Sequence, residues 1–392
     1  MQRGCSRKFI WSGMAVAISV PLLAAHAATF KTLYAFHGGN DGSQPNAALI
    51  ETGGELYGTT AEGGGPSCGN TGCGTVFSMT TGGKEAVLYS FGANGNTPMG
   101  SLTNMGGTFY GTTEFGGSGD GVVFSMTPAG TEQVLHTFQG GSDGTLPFAG
   151  LVNVKGTLYG TTGGGGASSS GTVFSITQAG SEKVVYSFKG GSDGVFPTGD
   201  LIDIAGRLFG TTQSGGAHGD GVVFRVTTSG KETVLYSFQG GNDGGSPAAG
   251  LLNVQGKLYG TTQKGGGTGC AFGYGCGTVF EITTDGAEKV IYRFQGGNDG
   301  AKPRTTLIDV GGAFYGTTPQ GGSTTACGGE GCGTVFKVTA AGSERVLHRF
   351  NGTGDGMAPH GALIDMGGKL VGTTNASGPG GCDCGTVFSQ KP

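Results

Sequence analysis

The sequence predicts an all-β fold: a seven-bladed β-propeller of four-stranded antiparallel blades, the last blade closed by the N-terminal strand. Three observations predict it. A phrase of the form Leu-Tyr-Gly-Thr-Thr recurs seven times, each copy carries four strand-like runs, and the two ends of the chain are complementary fragments of one copy.

The phrase has its glycine at Gly58, Gly111, Gly160, Gly210, Gly260, Gly316 and Gly372, at intervals of 49 to 56 residues. Periods of this size mark propellers and solenoids. The chain has 89 Gly and 13 Pro in 392 residues, a richness that without a period would mean low complexity. Here the glycines are periodic, and the runs between them are rich in Val, Ile, Leu, Tyr, Phe and Thr, which suit pleated strands.

One copy shows the elements in order. Strand-like runs cover Leu201 to Ile204, Arg207 to Thr212, Val222 to Thr227 and Glu232 to Phe238. Ala-Gly joins the first two and a Thr-Ser-Gly-Lys turn joins the last two, as hairpins require. No stretch has a useful amphipathic helical period. A lone four-stranded sheet cannot bury both faces, so each copy needs its neighbours. A solenoid β-helix is the runner-up, but its repeats are shorter and lack hairpins.

The ends supply an independent check. Thr29 to Phe36 matches a fourth strand such as Val234 to Phe238, and Gly385 to Phe388 matches a third. The seventh copy lacks a fourth strand and the N-terminus has one to spare. Residues near 30 to 36 are therefore expected to complete the last blade and remove an open edge.

Residues 1–27 read as a secretory signal: basic Arg3, Arg7 and Lys8, an apolar stretch, and Ala25-His26-Ala27 as a small-x-small cleavage site. The stretch is interrupted and short for a membrane anchor. Residues 28–392 are expected to form one propeller domain, a monomer without a membrane span, secreted or periplasmic. Loss of the signal takes 22 basic residues to 19 against 26 acidic ones, a net charge of −7, which argues against nucleic acid. Eight cysteines remain in four close pairs, Cys68/Cys73, Cys270/Cys276, Cys327/Cys332 and Cys382/Cys384. An even count in an exported chain favours disulfides. Zinc is disfavoured because no pair has an adjacent histidine or a two-residue spacing. Loops this short gain little chain entropy on closing, so the bridges are expected to shape local loops more than to hold the fold together. The Cys382/Cys384 pair, with one residue between, is the most demanding.

The recurring set GG-x-LYGTT, GTVF and LYSF-x-GG-x-DG-x-x-P resembles the GloVer tandem-repeat family across essentially the whole mature chain. The resemblance implies an exported bacterial protein, in a family whose members often carry a C-terminal surface-sorting anchor and whose function is generally unassigned. It brings no catalytic residues. This chain stops at Ser389-Gln390-Lys391-Pro392 without an anchor, so release into periplasm or medium is expected.

In a propeller the loops from strand two to three and from strand four to the next blade share one face, and function gathers on such loops. The cysteine loops fall in copies one, five, six and seven, contiguous around a closed ring, and are expected to raise a wall on one side. The Asp-Gly loops at Asp41, Asp143, Asp193, Asp243, Asp299 and Asp355 read as turns in which Asp binds backbone N–H groups. One carboxylate per loop is too few for calcium. Gly-Thr-Thr reads as strand. Residues that break the repeat are better candidates: Phe115, Gln213, Gln263, Lys264, Phe272, Tyr274, Gln320 and Asn375 for ligand binding, and Glu62, Glu114, His218 and Asp220 for catalysis. Glu62 and Glu114 on neighbouring blades are an acid/base pair for a glycoside, or simply solvated loop carboxylates. His218 with Asp220 is a general base, or surface decoration. Common hydrolase, phosphate-loop and zinc-protease phrases are absent, and no cofactor or metal is expected.

The functional reading is a binding module for a glycan or other envelope or extracellular polymer on the loop face. The alternative is a polysaccharide lyase or glycoside hydrolase with carboxylates on that face. The mature chain has no tryptophan, so Phe115, Phe272 and Tyr274 would have to stack on sugars. A quinone-dependent dehydrogenase is disfavoured for want of a stacking tryptophan and a metal-ligand cluster.

Overall fold

The computed structural model describes Met1 and residues 30–392, except 66, 67, 70, 118, 271, 272 and 378–381. The expected signal, apart from Met1, lies outside the described residues. Among the described residues no helix is long and apolar enough to cross a membrane.

Seven antiparallel sheets follow one another, six of four strands and the fifth extended by Gly265–Gly266, which pairs parallel to Gly275–Thr283. In the fourth blade the strands are Ile202–Ile204, Arg207–Thr212, Val222–Thr227 and Glu232–Ser237, hydrogen-bonded in chain order. The second strand is buried at every residue after its first, because it has a sheet neighbour on each side and a blade against each face.

The ring closes as the ends of the chain predict. Phe30–Ala35 pairs antiparallel with Thr386–Gln390, which pairs onward with Leu370–Thr374. The register identifies it as a true fourth strand. In the fourth blade the pairing skips Leu235 between Val223/Tyr236 and Phe224/Val234. In the closing blade it skips Leu33 between Thr32/Phe388 and Tyr34/Val387. The bulge therefore recurs although the strand comes from the opposite end of the chain.

The core sits between blades. One cluster joins Val173 and Phe188 of the third blade to Leu208, Phe224 and Val226 of the fourth. Among the described residues each of the seven junctions carries an edge-to-face phenylalanine pair, such as Phe188/Phe224 and Phe238/Phe280, with centroids 5.0–5.2 Å apart. Each pair adds about 0.5–1.5 kcal/mol beyond its buried area. Inside a blade, the glycine of Gly-Thr-Thr makes room for the strand-three phenylalanine. A Cβ at Gly210 would lie 2.7 Å from Phe224 Cζ and 2.8 Å from Leu201 Cδ2. This crowding requires glycine at a point where φ does not.

All four cysteine pairs are disulfides: Cys68–Cys73, Cys270–Cys276, Cys327–Cys332 and Cys382–Cys384. Besides closing short loops, each bridge has one buried end. Cys68, Cys270, Cys327 and Cys382 are half-buried on their loops, but Cys73, Cys276, Cys332 and Cys384 are buried. Cys73 packs with Phe91 and Phe124 in the core between the first and second blades. Cys276 joins Phe294, Cys332 joins Phe350 and Cys384 joins Phe36 in the equivalent clusters. The second cysteine stands at the entrance to strand three, where a blade junction covers it, and its sulfur is apolar enough to belong there. Each bridge therefore fastens a surface loop to a junction core, and these four cysteines are structural rather than part of an exposed rim.

Candidate functional site

Each blade is entered by a loop ending in a residue of positive φ followed by proline: Gln44, Thr97, Leu146, Phe196, Ser246, Lys302 and Ala358, with φ between 50° and 63°. Non-glycine residues take this conformation at a cost and need it held in place. It is held here because each N–H donates to the carbonyl just ahead of strand three in the preceding blade, at 2.7–3.1 Å. The proline then fixes the next turn, and the following three residues run down the axis. The middle one is buried, and at four of the seven positions a threonine hydroxyl of the preceding blade donates to its carbonyl: Thr112 Oγ1 to Ala149 O at 2.8 Å, Thr211 Oγ1 to Ala249 O at 2.9 Å, Thr261 Oγ1 to Thr305 O at 3.5 Å and Thr373 Oγ1 to Ala47 O at 3.3 Å. Its flanking residues face the axis.

The result is a funnel of about 450 Å³ at the ring centre. The residues after the seven prolines are Asn46, Met99, Phe148, Thr198, Ala248, Arg304 and His360, and all seven line it. Its two arcs differ. Asn46, Arg304 and His360 belong to the first, sixth and seventh blades, where the long cysteine loops stand. Met99, Phe148 and Phe196 face them from the second to fourth blades, Phe148 and Phe196 packed edge to face at 5.6 Å.

A family model described as the Gloeobacter/Verrucomicrobia repeat matches residues 22–167, 119–328 and 273–392. The chain belongs to that repeat family. A search of curated proteins found no match. Among solved structures, a puromycin hydrolase complexed with PGG is similar over 86% of this chain and 51% of its own, at 15% identity and a TM-score of 0.53. This chain thus spans about half of that protein's length. A gluconolactonase of Xanthomonas campestris (11% identity, 74% of this chain and 85% of its own, TM-score 0.45) and a luciferin-regenerating enzyme (11%, 93% and 95%, 0.45) are more distant in shape. At these identities the likeness extends to the fold alone.

Within this Gloeobacter/Verrucomicrobia repeat frame, each candidate has a definite place. The loops from strand two to three and the incoming loops do share one face, bridged as Ser43/Glu62, Asn96/Phe115 and Gly245/Lys264. Gln213 and Gln263 line the funnel, Gln213 Nε2 donating to Thr198 Oγ1 at 2.7 Å. Asn375 donates to Asn46 Oδ1 at 2.6 Å. Glu114 holds the position of Gln213 and Gln263 on the second blade, and burial raises its pKa. Neither Glu114 nor Glu62 is among the funnel-lining residues. Phe115 and Tyr274 are exposed, and Lys264 Nζ lies 5.6 Å above the Tyr274 ring. Gln320 donates to Glu330. His218 is exposed on its loop. Asp220 takes the place that Cys73, Cys276, Cys332 and Cys384 occupy elsewhere, packed on Gly240 and Gly245 of the next loop. Phe272 lies outside the described residues.

Funnel electrostatics are dominated by one cation. Arg304 is open toward the mouth, yet the surrounding blades strip enough water to lower its pKa; a guanidinium stays charged regardless. His360 is held down at about 3, first by burial and then by Arg304, so its imidazole is neutral. Its Nδ1 lies 3.0 Å from Asn46 Oδ1, which already accepts from Asn375. With that oxygen accepting, Nδ1 carries the hydrogen and Nε2 is left as an acceptor. Asp200 is the only carboxylate among the lining residues; burial raises its pKa while the Gly150 N–H, at 2.7 Å, opposes the shift.

A second set of titratable groups lies at the blade junctions, away from the axis. Asp243 accepts from Tyr236 Oη at 2.8 Å and from the Gln239 N–H at 2.7 Å, and Gly244 follows with φ 110°. The other five Asp-Gly loops repeat this with Tyr34, His136, Tyr186, Tyr292 or His348. At five junctions the glutamate opening strand four of the next blade faces this Asp: Glu85, Glu182, Glu232, Glu288 and Glu344. Burial first, and the facing Asp second, push each up to about 7. Their Oε1 atoms are buried without a hydrogen-bond partner. The group His136, Asp143 and Glu182, whose ligand atoms lie within 4.8 Å of one another, is one such junction with His in place of Tyr.

Proposed function

We propose that this propeller is a secreted or periplasmic binding module that takes a glycan or another envelope or extracellular polymer on its loop face, with the axial funnel receiving a terminal or side-branch residue. The funnel carries this reading: a preformed concavity of suitable size, polar along one arc and aromatic along the other, is how proteins hold sugars. The four disulfides support an oxidising compartment. Incubating the purified mature protein with a polysaccharide panel, scored for retention and for new chain ends, tests it. Retention without new ends is the expected result, and no retention on any polymer overturns it. Burial raises the Glu114 pKa, the direction a general acid needs, and this is the observation on the side of the enzymatic alternative. New ends that vanish in Glu62→Gln or Glu114→Gln would establish that alternative.

A further inference from the structure

Resting on the reading of the funnel as the ligand site, we infer that its occupant carries a carboxylate beside a hydroxyl: a sugar acid, with its anion on Arg304 and its ring against Phe148 and Phe196.

The argument starts from an unmatched charge. Arg304 is the only Lys or Arg among the funnel-lining residues. Among the described residues its guanidinium has neither an ion-pair nor a hydrogen-bond partner. The ion pairs, Lys257/Glu281 and those of His37, His136 and His348, all lie elsewhere. Arg304 is exposed at the mouth, where its guanidinium can be reached by an anion, and the part of its hydration that the surrounding blades remove is not replaced by any partner among the described residues. A carboxylate makes good that loss, because the planar guanidinium fork accepts it through two parallel hydrogen bonds.

The neighbouring groups narrow the anion's chemistry. Neutral His360 offers Nε2 as an acceptor beside Arg304, and an acceptor repels a second carboxylate oxygen but takes a hydroxyl hydrogen. Gln263 adds an amide to the same polar wall. Asp200, whose raised pKa eases protonation, also suits hydroxyls and forms no ion pair with Arg304.

The opposite wall explains why a ring should follow the carboxylate. Phe148 and Phe196 lean over Gly163, the third-blade counterpart of Gln213 and Gln263. A Cβ there would lie 2.9 Å from Phe148 Cε2 and 3.0 Å from Phe196 Cε2. Glycine at this position keeps both rings in the funnel, where they present a surface to the apolar face of a sugar.

Calorimetric titration of the full mature chain with galacturonate and glucuronate oligomers, against their methyl esters, tests the inference without any variant. The acids should bind at least about tenfold more tightly than the esters, as loss of a charge-assisted bidentate pair implies. Arg304→Gln, checked for an unchanged melt, should bring the acids down to the esters' affinity and leave the esters alone. Arg304→Lys should recover part of the difference, and Phe148→Ala should weaken acid and ester alike. Equal binding of acid and ester would overturn the sugar-acid inference while leaving the glycan reading intact. Competition by inorganic phosphate as strong as that of the acid would reduce the site to a bare anion cradle and also overturn it. If neither acid, ester nor any neutral polymer of the panel binds, the parent reading falls and takes the inference with it.

Discussion

Raising the pH through neutrality should loosen this ring, because at five blade junctions a half-buried glutamate faces an aspartate and is better tolerated with its proton on. Glu85, Glu182, Glu232, Glu288 and Glu344 sit at about 7 in the folded chain, against an ordinary glutamate value of 4.5. The folded state therefore binds more protons than the unfolded state between those values. Stability is fully present below 4.5, declines as the pH rises through 7, and is flat above it. The groups facing each glutamate are the Asp and Tyr or His of the preceding blade, with Lys189 near Glu232, Arg293 near Glu288 and Arg349 near Glu344 partly opposing the shift.

Fully realised, a shift of that size is worth about 3 kcal/mol per site. The glutamates are only half-buried, so solvent screening reduces this to about 1 kcal/mol each, or about 5 kcal/mol for the ring. With unfolding entropy scaling with chain length, the melting temperature should fall by about 6 °C between roughly pH 5 and pH 8. Replacing all five glutamates by glutamine, which keeps a hydrogen-bond donor toward each Asp at every pH, should flatten the profile and raise the melting temperature at the alkaline end. His136 and His348, which sit on Asp143 and Asp355, are common to both proteins and cancel in the comparison. Calorimetric melts of the two proteins across this range decide the matter. A flat wild-type profile, or an equal slope in the glutamine protein, would refute the carboxyl-pair reasoning.

Three further predictions concern the scaffold. Deleting residues 28–38 removes the closing strand, buried Phe36 and the stack of Phe30 on His348 at 3.7 Å; it should cost more than about 5 kcal/mol, and an unchanged melt would contradict ring closure. Gly210→Ala forces a methyl against Phe224 and Leu201 and should cost about 1–3 kcal/mol in chemical denaturation. Thr262→Val leaves the Thr278 hydroxyl and N–H without their partner at 2.8 and 3.1 Å and should cost about 1–3 kcal/mol. Thr278→Val should be milder, since Val122 and Val222 hold that position in the second and fourth blades; equal losses would argue against the hydroxyl pair.

The scaffold was legible because its signals are local and repeated. In the copy that reads most clearly, the inferred strands differ from the observed ones by one residue, at Leu201 and at Phe238. Three features escaped that reading for physical reasons. Arg304, His360 and Phe148 follow a proline in a segment too short for period-two alternation to show, so it reads as linker. A signal was present nonetheless: after an unvarying proline the seven copies carry Asn, Met, Phe, Thr, Ala, Arg and His. The carboxyl pairs were hidden because their members, such as Asp243 and Glu288, stand in different copies and meet only when blades stack. The burial of Cys73 and its counterparts was hidden for the same reason, since the phenylalanines that cover them come from other strands and blades. Where the sequence interrupts the pattern, the junction changes chemistry. The first copy has Asn94 in place of Asp, and Tyr89 turns to Glu132 at 3.1 Å. The closing strand has Phe30 in place of Glu, and it stacks on His348.

The axial and junction sets of residues are separable, and the separation says how such a repeat can change its ligand without losing its fold. At the axis the middle residue after each proline is buried, and at four positions its carbonyl accepts from a threonine of the neighbouring blade, whereas the residue before it lines the funnel and stands outside the junction cores. Asn, Phe, Arg and His can therefore occupy one repeat position at little cost, because the backbone that positions them is held by proline and by the inter-blade N–H bond. The junction carboxyls lie at the other end of each sheet, the glutamates on strand four and the aspartates in the loop after it, and bear on stability. The glutamine protein should therefore keep the wild-type preference between acid and ester, and Arg304→Gln should keep the wild-type pH profile of melting. Cross-talk between the two measurements would mean that the blades transmit strain from rim to axis, and that the funnel is not the independently variable element its sequence pattern suggests.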